Sequence, residues 1–139
     1  MNQYKWADLR VGLGHEFKVQ LTSDMMHAFA NLSGDTNPLH VDNDFASWCG
    51  FPDIVAYGLL TSSFYSQLTG VHLPGRDALL HGIDIDFISP AYPGDVLEVS
   101  GVITHLDEAF HRIEVRAKIE AERGKVISKA KLRVGLQGT

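Results

Sequence analysis

Residues 54–75, 22 in a row, carry no Asp, Glu, Lys or Arg. An uncharged segment of that length must be hidden from water, either in lipid or inside protein. Its length would let it span a bilayer as a helix, which takes about 20 apolar residues. Its content would not. Tyr57, Gly58, Thr61, Ser62, Ser63, Tyr65, Ser66, Gln67, Thr69 and Pro74 are too polar for hydrocarbon and suit a helix enclosed by protein. A membrane-spanning protein is excluded, and 58–69 is predicted to be a buried helix in need of a shell.

The rest of the chain supplies that shell. Ile83, Ile85 and Phe87 alternate with polar or small residues, as do Leu97, Val99 and Ile103. Over 112–122, Ile113, Val115, Ala117, Ile119 and Ala121 face one way, and Arg112, Glu114, Arg116, Lys118, Glu120 and Glu122 the other. After an Arg123-Gly124 turn, Ser128, Ala130, Leu132, Val134 and Leu136 point inward while Lys129, Lys131 and Arg133 point outward. Period two with one apolar face is the pattern of an antiparallel sheet wetted on one side.

Upstream, 15–21 set Phe17, Val19 and Leu21 on one face of a short strand. Thr22, Ser23 and Asp24 offer N-caps for a helix that runs to Ser33 and stops at Gly34. Asn37-Pro38 disfavours helix at Asn37, because the proline ring crowds the residue before it. Asp42 or Asn43 caps a short helical stretch through Trp48. The economical arrangement is α+β: a curved antiparallel sheet wrapped around helix 58–69.

With 139 residues and 45% apolar composition, the chain is expected to form a single domain, residues 1–139, large enough for one core. Its net charge of −5 makes it a poor nucleic-acid binder, since phosphate contacts need local positive charge. A single cysteine, Cys49, cannot form an internal disulfide. With no apolar h-region at the N-terminus, this predicts a reducing, cytoplasmic setting.

Asp35 and His40 are the pair most suited to chemistry. They lie five residues apart on a Gly- and Pro-punctuated segment expected to be a loop. A carboxylate and an imidazole that share a water can move protons near neutral pH. The alternative is structural, with Asp35 capping the Asn37-Pro38 turn and His40 a hydrogen-bonded strand histidine.

The whole string Leu32-Ser33-Gly34-Asp35-Thr36-Asn37-Pro38-Leu39-His40, followed by Ala46, resembles the motif of the MaoC-like (R)-specific enoyl-CoA hydratases of the hot-dog superfamily. The resemblance continues through Ile54-Val55-Ala56-Tyr57-Gly58-Leu59-Leu60 and through Phe87-Ile88-Ser89-Pro90-Ala91-Tyr92-Pro93-Gly94-Asp95. It covers nearly the whole chain, in order. It implies the hot-dog fold, a sheet around a long central helix, usually paired into homodimers or dimers of dimers. It also implies reversible syn addition of water to a trans-2-enoyl thioester to give a (R)-3-hydroxyacyl thioester, without cofactor or metal. The substrate would be carried by coenzyme A or an acyl-carrier protein.

Carried over, Asp35 and His40 match the catalytic dyad. Gly58 matches the glycine whose backbone N–H stabilises the enolate oxygen. Asn37 is expected to fix the loop rather than react. Ser66, two helical turns beyond Gly58, matches a polar position often found near the dyad. Both are expected, with Tyr57, to be on the substrate-binding side of the site, the alternative for Tyr57 being that it packs beside the helix start. Where this chain has Tyr57-Gly58, the family usually has His-Gly, which bears on substrate preference. A thioesterase and a non-catalytic acyl-thioester binding subunit are the alternatives; the full G-D-x-N-P-x-H string speaks against both.

His15, His27, His72, His81, His105 and His111 show no paired metal spacing. Gly12 and Gly14 lack the strand-then-helix context of a dinucleotide loop. Eight of the 12 basic residues fall in 112–133, beside only three Glu. That is either a solvated outer face or a surface attracting an anionic carrier.

Overall fold

A computed structural model describes residues 1–138. Strand β1 (Gly14–Gln20) leads into α1 (Ser23–Ser33), a single helical turn α2 (Pro38–Val41), and α3 (Asn43–Trp48). Helix α4 (Gly58–Gln67) follows and runs into a π-helical turn, Leu68–His72. Strands β2 (Ala78–Phe87), β3 (Val96–Asp107), β4 (Arg112–Ala121) and β5 (Lys125–Leu136) complete the chain. The five strands form one antiparallel sheet in the order β1-β3-β4-β5-β2. This is the sheet around a helix expected from the alternation.

The predicted inward faces of β3, β4 and β5 are buried: Leu97, Val99, Ile103, Ile113, Val115, Ile119, Leu132 and Val134 are all fully covered. They pack in one core with Leu60, Phe64, Tyr65 and Leu68 from the central helix. Helix boundaries follow local chemistry. The Thr22 hydroxyl accepts from the Met25 N–H, and Gly34 closes α1 in the left-handed region at φ 74°. Asp42 caps α3 through the N–H groups of Asp44 and Phe45.

A buried helix this polar survives because its hydroxyls bond back to its own backbone. Thr61 and Ser62 both donate to the Gly58 carbonyl, and Ser63 donates to that of Leu60. Tyr65 meets Ser128 at 2.8 Å, pinning α4 to β5. Burial pushes the Tyr65 phenol up to about 12.

Three expectations change. Residues 38–41 form α2 rather than loop, with Pro38 in its first turn, where the missing N–H costs nothing. His40 is therefore a helical residue, not a loop or strand histidine. The shell around α4 is incomplete: Leu59, Ser63, Ser66 and Gln67, spaced as one helical stripe, are exposed. Finally, Ile83 and Phe87 sit on the inner face of β2 yet are 36% and 55% exposed, because β2 is a sheet edge that the single chain does not cover.

The basic residues of 112–133 are largely paired. Lys118, Lys131, Arg133 and Arg112 meet Glu120, Glu114, Asp84 and Asp107. Arg123 instead ties the β4–β5 turn to Asp95 and to the Pro90 carbonyl. It thereby braces the 88–95 segment, which walls the cleft described next.

Candidate active site

The extended segment 54–57 organises the site. Val55 is clamped to α2 in both directions: its N–H donates to the Leu39 carbonyl at 3.1 Å, and its own carbonyl lies 2.6 Å from His40 Nδ1. The Ala56 N–H donates to the Ala91 carbonyl at 2.8 Å. Tyr57 then occupies the N-cap position of α4, and Gly58 is the first residue of that helix.

These ties surround an open cleft of 470 Å³, within the usual range for small-molecule sites. Asp35, His40, Tyr57 and Gly58 line it together with apolar walls that include Phe29, Val55, Phe87, Ile88, Pro90 and Ile127. Ile127 is the extra residue of a bulge in β5, where the pairing with β4 shifts register. Such a bulge re-aims a side chain out of the regular alternation.

The His40 tautomer follows from its partner. A carbonyl only accepts, so Nδ1 carries the proton donated to Val55, and Nε2 keeps a lone pair in the neutral ring. Asp35 Oδ1 accepts from the Asn37 N–H at 3.0 Å, which leaves the second oxygen for other work. The capping role weighed for Asp35 is therefore real, and it coexists with a place in the cleft. Gly58 brings the first N–H of α4, at the positive end of the helix dipole.

A family model for the MaoC like domain matches residues 10–125. The chain belongs to the MaoC-like domain family.

Two relatives bound how far this MaoC-like chain can be compared. It is 34% identical over 101 residues to a 3-hydroxybutyryl-CoA dehydratase of Methylorubrum extorquens, a match covering 73% of this chain and 64% of that protein. It is 34% identical over 100 residues to a (R)-specific enoyl-CoA hydratase of Aeromonas caviae, covering 72% and 75%. The solved (R)-hydratase of Aeromonas caviae, described as involved in PHA biosynthesis, superimposes with a TM-score of 0.88 at 30% identity, over 92% of this chain and 97% of that one. The hot-dog architecture expected from the motifs is the architecture of this MaoC-like chain.

The cleft brings together Asp35, His40, Gly58 and Tyr57, but not Asn37 or Ser66. Asn37 is exposed, and its side-chain oxygen accepts from the Leu39 N–H, so it caps α2. Ser66 lies on the open stripe of α4, two turns from Gly58. Tyr57 lines the cleft, and its hydroxyl donates to the Asp35 backbone carbonyl at 2.6 Å. Of the three residues expected to bind substrate, only Tyr57 lines this cleft; Asn37 caps α2 and Ser66 stands on the exposed side of α4.

Two contributors went unread in the sequence. The Val55 carbonyl that sets the His40 tautomer has no side-chain signature. The Phe87 ring, read as core, instead lies against Gly58: a Cβ built there would meet Phe87 Cε1 at 2.8 Å. Among the described residues, no three His, Cys, Asp or Glu side chains are gathered as a metal site, and no helix is long and apolar enough to cross a membrane.

Proposed function

We propose that this chain hydrates trans-2-enoyl thioesters reversibly to (R)-3-hydroxyacyl thioesters, with Asp35 and His40 as the proton-handling pair and Gly58 as the oxyanion donor. The observation that carries the reading is the convergence of these three groups on one apolar cleft. His40 Nε2 and the free oxygen of Asp35 hold one water. The water oxygen bonds to the β-carbon as its proton passes to the pair, and a proton returns to the α-carbon from the same side. Negative charge gathers meanwhile on the thioester oxygen, where an N–H at a helix N-terminus stabilises it. The apolar walls accept the acyl chain.

The direct test is a panel of trans-2-enoyl thioesters of different chain lengths, on coenzyme A and on an acyl-carrier protein, followed by loss of conjugated absorbance. Hydration of at least one substrate is expected. Thiol release with the enoyl absorbance intact would make the chain a thioesterase, and binding without turnover would make it a binding subunit. A cytoplasmic setting accords with the lone, exposed Cys49.

We further propose a homodimer formed along β2. A ten-residue edge strand bearing exposed Leu79, Leu80, Ile83 and Phe87 is the kind of edge that proteins cover. Phe87 and Ile88, at its end, also line the cleft, so a second copy there would help to wall the site. Sedimentation at micromolar concentration should give a dimer or a dimer of dimers. Ile83→Asp, which forces a carboxylate into the seam, should yield a monomer. A monomeric wild-type protein would sink the proposal.

A further inference from the structure

We infer that Tyr57 is a positioning residue that sets the Asp35–His40 geometry, its hydroxyl tethering the main chain of one and its ring backing the imidazole of the other. This rests on the hydratase reading above. The tether is unusual for its reach. Among the described residues, every other hydrogen bond of segment 34–37 runs to a residue within four positions: Gly34 to Ala30, Asp35 to Ser33, Asn37 to Asp35, and Leu39 and His40 to Asn37. Local bonds of this kind shape a turn but do not say where it sits. The Tyr57 hydroxyl, donating across 22 positions to the Asp35 carbonyl at 2.6 Å, anchors the turn to the start of the central helix.

The ring does the second half. It is 2% exposed and meets two rings: Phe29 of α1, tilted at 4.7 Å between centroids and 46° between planes, and His40, stacked at 4.2 Å and 29°. With Nδ1 bonded to the Val55 carbonyl and the ring stacked on Tyr57, the imidazole is restrained at an edge and on a face. Burial, and then the nearby Asp35 carboxylate, raise the Tyr57 phenol above its ordinary value, so it stays protonated and keeps donating. Tyr57 also adjoins Gly58. One residue therefore links acid–base pair and oxyanion donor, the spacing on which a catalytic constellation depends.

Tyr57→Phe keeps the ring and removes only the tether. Backbone amide exchange at Asn37 and Leu39 should speed up while protection in β3, β4 and β5 is unchanged. With crotonyl-CoA as probe, kcat should fall about 10-fold with KM little altered, since the loss is of alignment rather than of binding. In the Asp35→Asn background, Tyr57→Phe should cost almost nothing more, because a residue acting through Asp35 has nothing left to position. A residue that only stabilised the fold would give multiplicative losses and a general rise in exchange. Unchanged exchange at Asn37 and Leu39, wild-type kcat, or multiplicative losses would each overturn the inference. Exchange is read without substrate, so an inactive wild-type protein would sink the hydratase reading separately.

Discussion

Asp35→Asn and His40→Gln are each expected to lower turnover of the best enoyl thioester by about 100-fold or more, the usual scale for an acid–base group. The two substitutions differ in what else they disturb. An Asn at 35 still offers a side-chain oxygen to the Asn37 N–H, the bond made by Asp35 Oδ1. The turn should therefore survive, and the loss should be one of chemistry alone. His40→Gln removes the ring that bonds Val55 and stacks on Tyr57, so a cost of about 1–2 kcal/mol in stability is expected with it. Thermal melts recorded beside steady-state kinetics separate the two effects. Because the pair handles one water, the double variant should be little slower than the worse single variant. Near wild-type hydration by either single variant would dismiss the mechanism.

What the sequence disclosed depended on how far each signal repeats. Strand β4 was legible residue by residue because five inward and six outward positions alternate without a break over 112–122. Helix α1 was bounded correctly because Thr22 and Gly34 are cap residues by chemistry. Turn α2 is too short for any period to show, and the rule that proline disfavours helix in the residue before it hid its complement, that proline suits the first helical turn. The exposed inner face of β2 also escaped, since alternation tells which face is apolar but not whether one chain covers it.

At the site, residue types were legible and partners were not. Asp35, His40 and Gly58 stood out by motif and do meet in one cleft. Ser66 rests on the resemblance alone, and in the fold it lies outside the cleft lining, which takes Gly58, Leu59 and Thr61 from the first turn of α4. The Val55 carbonyl, the Tyr57 tether and the Phe87 ring against Gly58 are contacts between segments far apart in the chain. Only the fold brings them together.

Gly58→Ala is expected to cost nearly as much turnover as the dyad variants while barely changing stability. The backbone N–H survives the substitution, so the effect must come through space. A methyl group at 58 would stand 2.8 Å from Phe87 Cε1 and 3.0 Å from Cζ, closer than carbon atoms approach. The atoms met are the far end of the side chain at the last position of β2, so within the single chain the ring can swing aside at small cost to folding. It lines the same cleft, however, and its displacement would crowd the space in front of the N–H. Loss of one oxyanion donor costs about 100-fold or more in kcat, and a blocked donor should approach that figure. Gly58→Ala with Phe87→Ala tests the route: removing the ring should recover at least about 10-fold of the lost kcat/KM if crowding by the displaced ring is the cause. Phe87→Ala alone supplies the reference for its own effect on binding. In a complex with a 3-hydroxyacyl or enoyl thioester, the carbonyl oxygen should lie about 2.7–3.1 Å from the Gly58 nitrogen, with the β-carbon facing Asp35 and His40. A carbonyl turned away from Gly58, or a Gly58→Ala variant of undiminished activity, would remove the oxyanion role and leave the dyad to work without it.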